Sequence, residues 1–384
     1  MNVYVAGVGE SGPVARGKGP AAETMALRAA FDACRDAGIE PAKVDGIVRY
    51  SHDGAISAMS LAANLGMEEL SFAVDVPHAG GSGAALLDVA IAAVRSGAAR
   101  TVLCTRTVVA EEWLRQLVAP DPLRPFYLDA PNYLRPVGWT GYLHLFGLLY
   151  QEHANRYGTT RADLYPVAEQ MRQNAKSSLL DLADPLPALD DYLALPTTVG
   201  PFTPLDEFVP ADLSCAVIVS AHDRSDRSVG VEIVATAQSQ GPEPMSWFDS
   251  RPLSPDALDS PSRAVADKLF ASAGLVRGDI DVVGLYDCTT FTLLFLLEES
   301  GLVERGGAAE LARLDGLLPH GACPTNPHGG DLAAGYSHGF RHILEMVRQL
   351  RWTAVNQVSA AEHALVLGPP AGPTSGAILR RVAL

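Results

Sequence analysis

With 384 residues, 48% of them hydrophobic and 19% charged, the chain reads as soluble and long enough for one large core or two fused domains. No apolar run approaches the ~20 residues that a membrane helix needs. The formal charge of −15 excludes nucleic acid and anionic membrane as partners, since both need a basic face; a phosphorylated ligand would need local arginines or a second subunit.

The chain opens directly into an apparent strand at residues 3–6, so no signal peptide is expected and the protein reads as cytoplasmic. The five cysteines, Cys34, Cys104, Cys215, Cys288 and Cys323, are scattered without a CxxC pair. Their apolar or glycine-rich settings suit buried thiols in a reducing compartment better than disulfides or zinc. Gly7-Val8-Gly9-Glu10-Ser11-Gly12 matches the dinucleotide pattern GxGxxG after a strand. Pro13 and the Arg16 to Pro20 segment follow, however, so no helix starts at the glycines, and no acidic residue caps a second strand at the required distance.

A helix pattern at residues 21–36 leads into residues 37–48, which recur as residues 273–284 behind a second helix pattern at 261–272. A strand follows each copy, and another lies upstream of each, at residues 3–7 and 231–235. Gly83 with its apolar helix and Arg95 likewise matches Gly339 followed by residues 340–351. Three short matches in one order predict a duplicated βαβ-type unit, hence two similar α/β halves, residues 1–225 and 226–384.

In the first half a strand at residues 72–76 enters the elbow Pro77-His78-Ala79-Gly80-Gly81-Ser82-Gly83, and an apolar helix follows. This is how an α/β fold presents a nucleophile at a helix N-terminus, where N–H groups and the helix dipole stabilise an anion. Ser82 does not satisfy GxSxG, because the last glycine is displaced by one residue, so it is expected to cap the helix. Residues 111–203 do not fit the repeat. They hold Trp113, Phe126, Tyr127, Tyr133, Trp139, Tyr142 and Tyr150, then a helix pattern at 160–180. This stretch is expected to be an α-rich subdomain over the sheet, a substrate-shaping cap, or both.

The order of these pieces resembles the thiolase superfamily, in particular the sterol-carrier-protein-like thiolases, over nearly the whole chain. Gly81-Ser82-Gly83-Ala84 resembles the C-A-S-G elbow with Gly80 in the place of its cysteine. Tyr286-Asp287-Cys288-Thr289 resembles H-D-C-F, Asn326-Pro327-His328-Gly329-Gly330 resembles N-P-S-G-G, and Gly335-Tyr336-Ser337-His338-Gly339 resembles G-H-P-x-G. Leu205-Asp206 and Asp212 to Ala216 resemble the strand entry closing the first half. The resemblance implies the five-layered αβαβα thiolase fold, a homodimer and an acyl-CoA substrate, with coenzyme A as part of that substrate and no other cofactor or metal.

Three positions depart together: the nucleophilic cysteine reads Gly80, and two catalytic histidines read Tyr286 and Tyr336. Glycine cannot take an acyl group. The pattern resembles a smaller branch, the aldolases that cleave steroid side chains from β-hydroxyacyl-CoA. That branch lacks the nucleophile and works with a subunit built from an OB-fold and a zinc ribbon. The resemblance therefore implies a carbon–carbon lyase that releases a ketone and a shortened acyl-CoA such as propionyl-CoA.

A retro-aldol cleavage needs a base for the β-hydroxyl proton, donors for the developing enolate and an acid for the carbanion. Tyrosine can serve as acid or base, but its ordinary pKa near 10 calls for a neighbouring donor or cation. Tyr286 and Tyr336 are expected as the acid–base pair, in either assignment, with His338 in support and His320 and His328 as alternatives. Gly80, Gly81, Asn326 and Gly330 are expected to contact substrate, the missing sulfur leaving room for it. Packing roles compete at each position; Tyr50 stands in the first repeat where Tyr286 stands in the second. A relocated nucleophile at Cys323, an acyltransferase, and a non-catalytic scaffold are the competing functions. Arg115, Arg124 and Arg135 are candidate basic residues for coenzyme A.

Overall fold

The computed structural model describes residues 1–50, 56–76, 79–111, 136, 138, 141–222, 227–239 and 258–384. Trp113, Phe126, Tyr127, Tyr133, Trp139 and the three arginines 115, 124 and 135 lie outside these residues, as do Pro77 and His78.

The first strand, β1 (Tyr4–Ala15), runs straight through the glycine motif. A side chain at Gly7 or Gly9 would meet the backbone of the first helix, α1 (Ala22–Asp36), at 2.2 Å, so these glycines allow strand and helix to touch. The GxGxxG pattern is thus a packing device. Along α1, Met25, Ala26, Ala29, Ala30, Ala33 and Cys34 recur at helical spacing and form its buried face.

The elements that follow are β2 (Gly46–Tyr50), α2 (Ala58–Leu65), β3 (Phe72–Val76), α3 (Ser82–Ser96) and β4 (Thr101–Val108). Helix α3 begins at Ser82 itself, with Gly81 at its N-cap, so the expected serine cap is corrected. Next come α4 (Tyr142–Tyr157), α5 (Tyr165–Ser177) and α6 (Leu189–Ala194), then β5 (Ala211–Ser220). The second half repeats the plan with β6 (Val229–Ser239), α7 (Pro261–Ala273), β7 (Val282–Leu285), α8 (Thr290–Glu299), α9 (Ala308–Arg313), α10 (Gly330–Ala334), α11 (Phe340–Arg351), β8 (His363–Leu367) and β9 (Thr374–Ala383).

Among the described residues the strands form one mixed sheet in the order β3-β2-β4-β5-β1-β6-β9-β8-β7. The halves meet at β1 and β6, where Tyr4 pairs with Glu232 and the Ile233 N–H donates to the Val3 carbonyl. Helix α3 packs on β2, β4 and β5 of one half and on β6 and β9 of the other, while α11 likewise touches strands of both. The two halves of this sheet thus lie on either side of α3 and α11, and with α1 outside the first half and α7 outside the second the layers are helix, half-sheet, helix, half-sheet, helix. The duplication read from sequence meets at the centre: the Cβ position of Gly83 lies 3.8 Å from Gly339.

Helix α5 packs against α8, α9 and α10 of the second half, and α4 against α8, although both follow the first half in the chain. Buried polar contacts bind them there. His153 Nε2 is 2.7 Å from a carboxylate oxygen of Glu298, Gln170 donates to the Ala312 carbonyl, and Asn174 donates to the carbonyls of Thr325 and Asn326.

Candidate active site

The second-half motifs converge at the ends of β7 and α11. Tyr286 follows β7 directly, and its backbone N–H donates to the Leu367 carbonyl of β8. Tyr336 and His338 lie on the turn between α10 and α11, and the Tyr336 N–H donates to the Val209 carbonyl. The two phenol oxygens are 2.8 Å apart, and both rings are buried. Burial pushes both phenols well above the ordinary tyrosine range. For Tyr286, nearby Cys288 and the second phenol add to that rise.

Buried carboxylates hold the turn. Asp331 accepts from the Ser337 N–H at 2.9 Å, the Ser337 hydroxyl at 3.0 Å and the Gly339 N–H at 3.0 Å. Asp287 accepts in turn from the N–H groups of Asp331 and Leu332. Behind them, His342 Nε2 lies 3.2 Å from Asp287, and His342 Nδ1 lies 3.2 Å from His328 Nε2. Asp287, Asp331 and His342 also bring metal-capable atoms within 4.8 Å of one another. The backbone donors aimed at both carboxylates account for their placement as a clamp on the turn.

The first half supplies the opposite wall. The Cβ position of Gly80 would lie 3.1 Å from Cε2, Cζ and the hydroxyl oxygen of Tyr286. The phenol of Tyr286 thus lies against the space that a side chain at residue 80 would enter. A Cβ at Gly81 would meet the Pro373 carbonyl at 2.0 Å, and one at Gly330 would meet Asp287 at 1.9 Å. Asn326, with φ of 45°, accepts from the Leu285 N–H and donates to the Leu285 carbonyl. Gly81, Asn326 and Gly330 are thus each closely packed, against Pro373, Leu285 and Asp287 respectively. His328 belongs to the clamp, and His320 is exposed on a separate turn.

Two residues that sequence reading missed complete the site. Arg106, on the fully interior part of β4, is buried, and its Nη2 lies 2.5 Å from His338 Nδ1. Its guanidinium sits 3.9 Å over the ring of Tyr50, at the end of β2. The His338 ring is 4.5 Å from that of Tyr336 and 5.3 Å from that of Tyr50. The visible signal was an arginine inside the otherwise apolar strand Val102-Leu103-Cys104-Thr105-Arg106-Thr107-Val108, since buried charges are rare without a task.

A cavity of about 570 Å³ opens beside the pair, lined by Tyr142, His144, Leu205, Glu207, Phe208 and Val209 among others. Phe208 stacks on Tyr336 with ring centroids 4.1 Å apart and so joins cavity to pair. Burial, reinforced by adjacent Asp206, raises the Glu207 carboxyl to about 7. The thiols are unsuited to nucleophilic attack: burial lifts Cys34 and Cys323 to about 11, Cys215 to about 12, and Cys104 and Cys288 further.

The layers, the elbow without its cysteine and the tyrosines in the histidine positions are similar to those of the thiolase superfamily, and residues 250–378 match the thiolase C-terminal domain-like family. Along its length the chain is similar to steroid side-chain-cleaving enzymes. It is 29% identical to a steroid side-chain-cleaving aldolase of Thermomonospora curvata, over 98% of this chain and 97% of the relative. It is 28% identical to the 17-hydroxy-3-oxo-4-pregnene-20-carboxyl-CoA lyase of Mycobacterium tuberculosis, over 92% and 93%. The solved Ltp2-ChsH2(DUF35) aldolase superposes with a TM-score of 0.88 at 29% identity, covering 99% of this chain and 97% of that one. Among the described residues no helix is long and apolar enough to cross a membrane.

Proposed function

We propose that the protein is a carbon–carbon lyase that cleaves a β-hydroxyacyl-CoA by a retro-aldol reaction, giving a ketone and a shortened acyl-CoA such as propionyl-CoA. The observation that carries this reading is the hydrogen-bonded Tyr286–Tyr336 pair, standing where the nucleophile and histidines of a thiolase would be. Similarity to the named aldolase and lyase supports it.

The chemistry suits two neutral phenols. In a retro-aldol step the β-hydroxyl proton leaves oxygen, the Cα–Cβ bond breaks, the carbonyl forms, and the bond electrons pass to Cα and the thioester. A proton must then reach Cα. The 2.8 Å bridge lets one phenol receive the hydroxyl proton while it passes its own to the second, which protonates Cα. No lasting phenolate is required, in keeping with the raised phenol pKa values. Tyr286 and Tyr336 are the catalytic pair in this reading, and His338 supports Tyr336. The cavity beside Phe208 has the size and apolar lining of a small-molecule site and is assigned to the bulky acyl group, with a steroid side chain the favoured substrate.

A homodimer, and a second subunit like the one paired with Ltp2 in the Ltp2-ChsH2(DUF35) aldolase, complete the proposal; coenzyme A enters only as part of the substrate. The test is to incubate the protein, alone and with whatever copurifies, with β-hydroxyacyl-CoA thioesters bearing a tertiary β-alcohol. Ketone and shortened acyl-CoA should appear together. Absence of both with the partner present would overturn the lyase reading.

A further inference from the structure

Arginine carries only N–H donors, so any ring nitrogen it contacts must accept. Arg106 Nη2 approaches His338 Nδ1 at 2.5 Å, which makes Nδ1 the unprotonated nitrogen. The arginine is itself held from three sides. It is buried on β4 in register with Cys215 of β5, its Nη1 donates to the Thr107 carbonyl, and its plane covers Tyr50. The imidazole is fixed as well. His338 has φ of 57°, unusual for a residue with a side chain, and its neighbours Ser337 and Gly339 both donate to Asp331.

We propose that Arg106 is the positioning residue of His338: it holds the imidazole as the neutral Nε2–H tautomer, so that His338 serves the site as a hydrogen-bond donor and not as a base or a cation. A neutral donor among the rings of Tyr50 and Tyr336 can stabilise the anionic oxygen of a thioester enolate without removing a proton needed at Cα. It also leaves proton transfer at Cα to the tyrosine pair. This deepens the retro-aldol reading and rests on it for the activity measurements alone.

The experiment is 15N NMR of the full chain labelled at histidine, with His338 assigned by its loss in His338→Gln. The wild-type protein should show a pyridine-like Nδ1 and a pyrrole-like Nε2 bearing the proton at pH 7.5. Arg106→Met should shift the population toward Nδ1–H and lower cleavage at least tenfold, and Arg106→Lys, which restores a donor, should recover part of both. His338→Gln, whose amide nitrogen reaches the ε position, should retain more activity than His338→Asn. A wild-type His338 that is cationic or protonated at Nδ1 overturns the proposal, and so does an unchanged tautomer in Arg106→Met. The wild-type spectrum decides the matter even where a variant fails to fold. A protein with the expected tautomer and no cleavage of any substrate would overturn the lyase reading instead.

Discussion

The phenol of Tyr286 fills the space that a side chain on Gly80 would need, its ring and hydroxyl lying 3.1 Å from that Cβ position. The absent sulfur and the added phenol are two halves of one packing solution. A Cβ on residue 80 would press on the Tyr286 ring that bonds to Tyr336.

Enlarging residue 80 should therefore damage the pair without dismantling the fold. Gly80→Ala is expected to displace the Tyr286 ring by a few tenths of an ångström and to cut cleavage by about 10- to 100-fold, the scale on which misplaced reacting groups are felt. Gly80→Cys should do the same and should confer no thiolase activity. Acyl-CoA cleavage kinetics with melting curves on the same preparations would check this; a Gly80→Ala enzyme of wild-type rate would contradict it.

The tyrosines should behave as a unit. Tyr286→Phe and Tyr336→Phe are each expected to lower the cleavage rate by about 10²- to 10⁴-fold, the usual worth of positioned acid–base groups. The double variant should be little worse than either single one, because a relay with one link missing is already broken. Strictly multiplicative losses would show that the phenols act independently.

Removing the clamp should cost stability as well as rate. Asp331→Asn leaves an amide nitrogen facing N–H donors that now meet a buried carboxylate. About 3 kcal/mol of destabilisation is expected, the order of a lost charge-assisted hydrogen bond with an unsatisfied donor left behind. Urea unfolding would measure it, and a change under 1 kcal/mol would argue against the clamp.

Stability should fall as pH rises from about 4.5 to 7. Burial, with Asp206 beside it, raises Glu207 from 4.5 to about 7, so across that window the folded state still holds a proton that the unfolded state has released. Asp287 is raised by burial to about 6, against the opposing hydrogen bond of His342, and acts in the same direction. For His342, burial is outweighed by Asp287, which raises its pKa; its contribution is present below 6.5 and is likewise lost as pH climbs. Melting temperatures across this range should decline, and Glu207→Gln should decline less steeply. Identical slopes for the two proteins would remove Glu207 from the account.

Alkylation should leave the protein active. Because burial keeps the thiols protonated, iodoacetamide at pH 7.5 is expected to label the native protein far more slowly than the unfolded chain, with cleavage unaffected. Rapid loss of activity on labelling Cys323 would instead revive the relocated nucleophile.

The sequence by itself determined the α/β architecture and marked the two tyrosines proposed as the reacting pair. Helical and strand periodicity is local, so α1, β3 and α11 could be placed within a residue or two, and the recurrence of residues 37–48 at 273–284 revealed two halves. Tyrosines in two histidine positions pointed to acid–base chemistry because those motifs surround each residue with recognisable neighbours. Only the tertiary structure shows what Gly80, Asn326 and Gly330 pack against. Their roles depend on what lies within 3 Å across the fold, and no pattern along the chain reports that distance. It alone joined Arg106 and Tyr50 to the site, since 232 residues separate Arg106 from His338 and only the meeting of the halves around α3 and α11 brings them together. Periodicity is written in neighbouring residues, whereas the charge and tautomer of a buried ring are set by what packs against it.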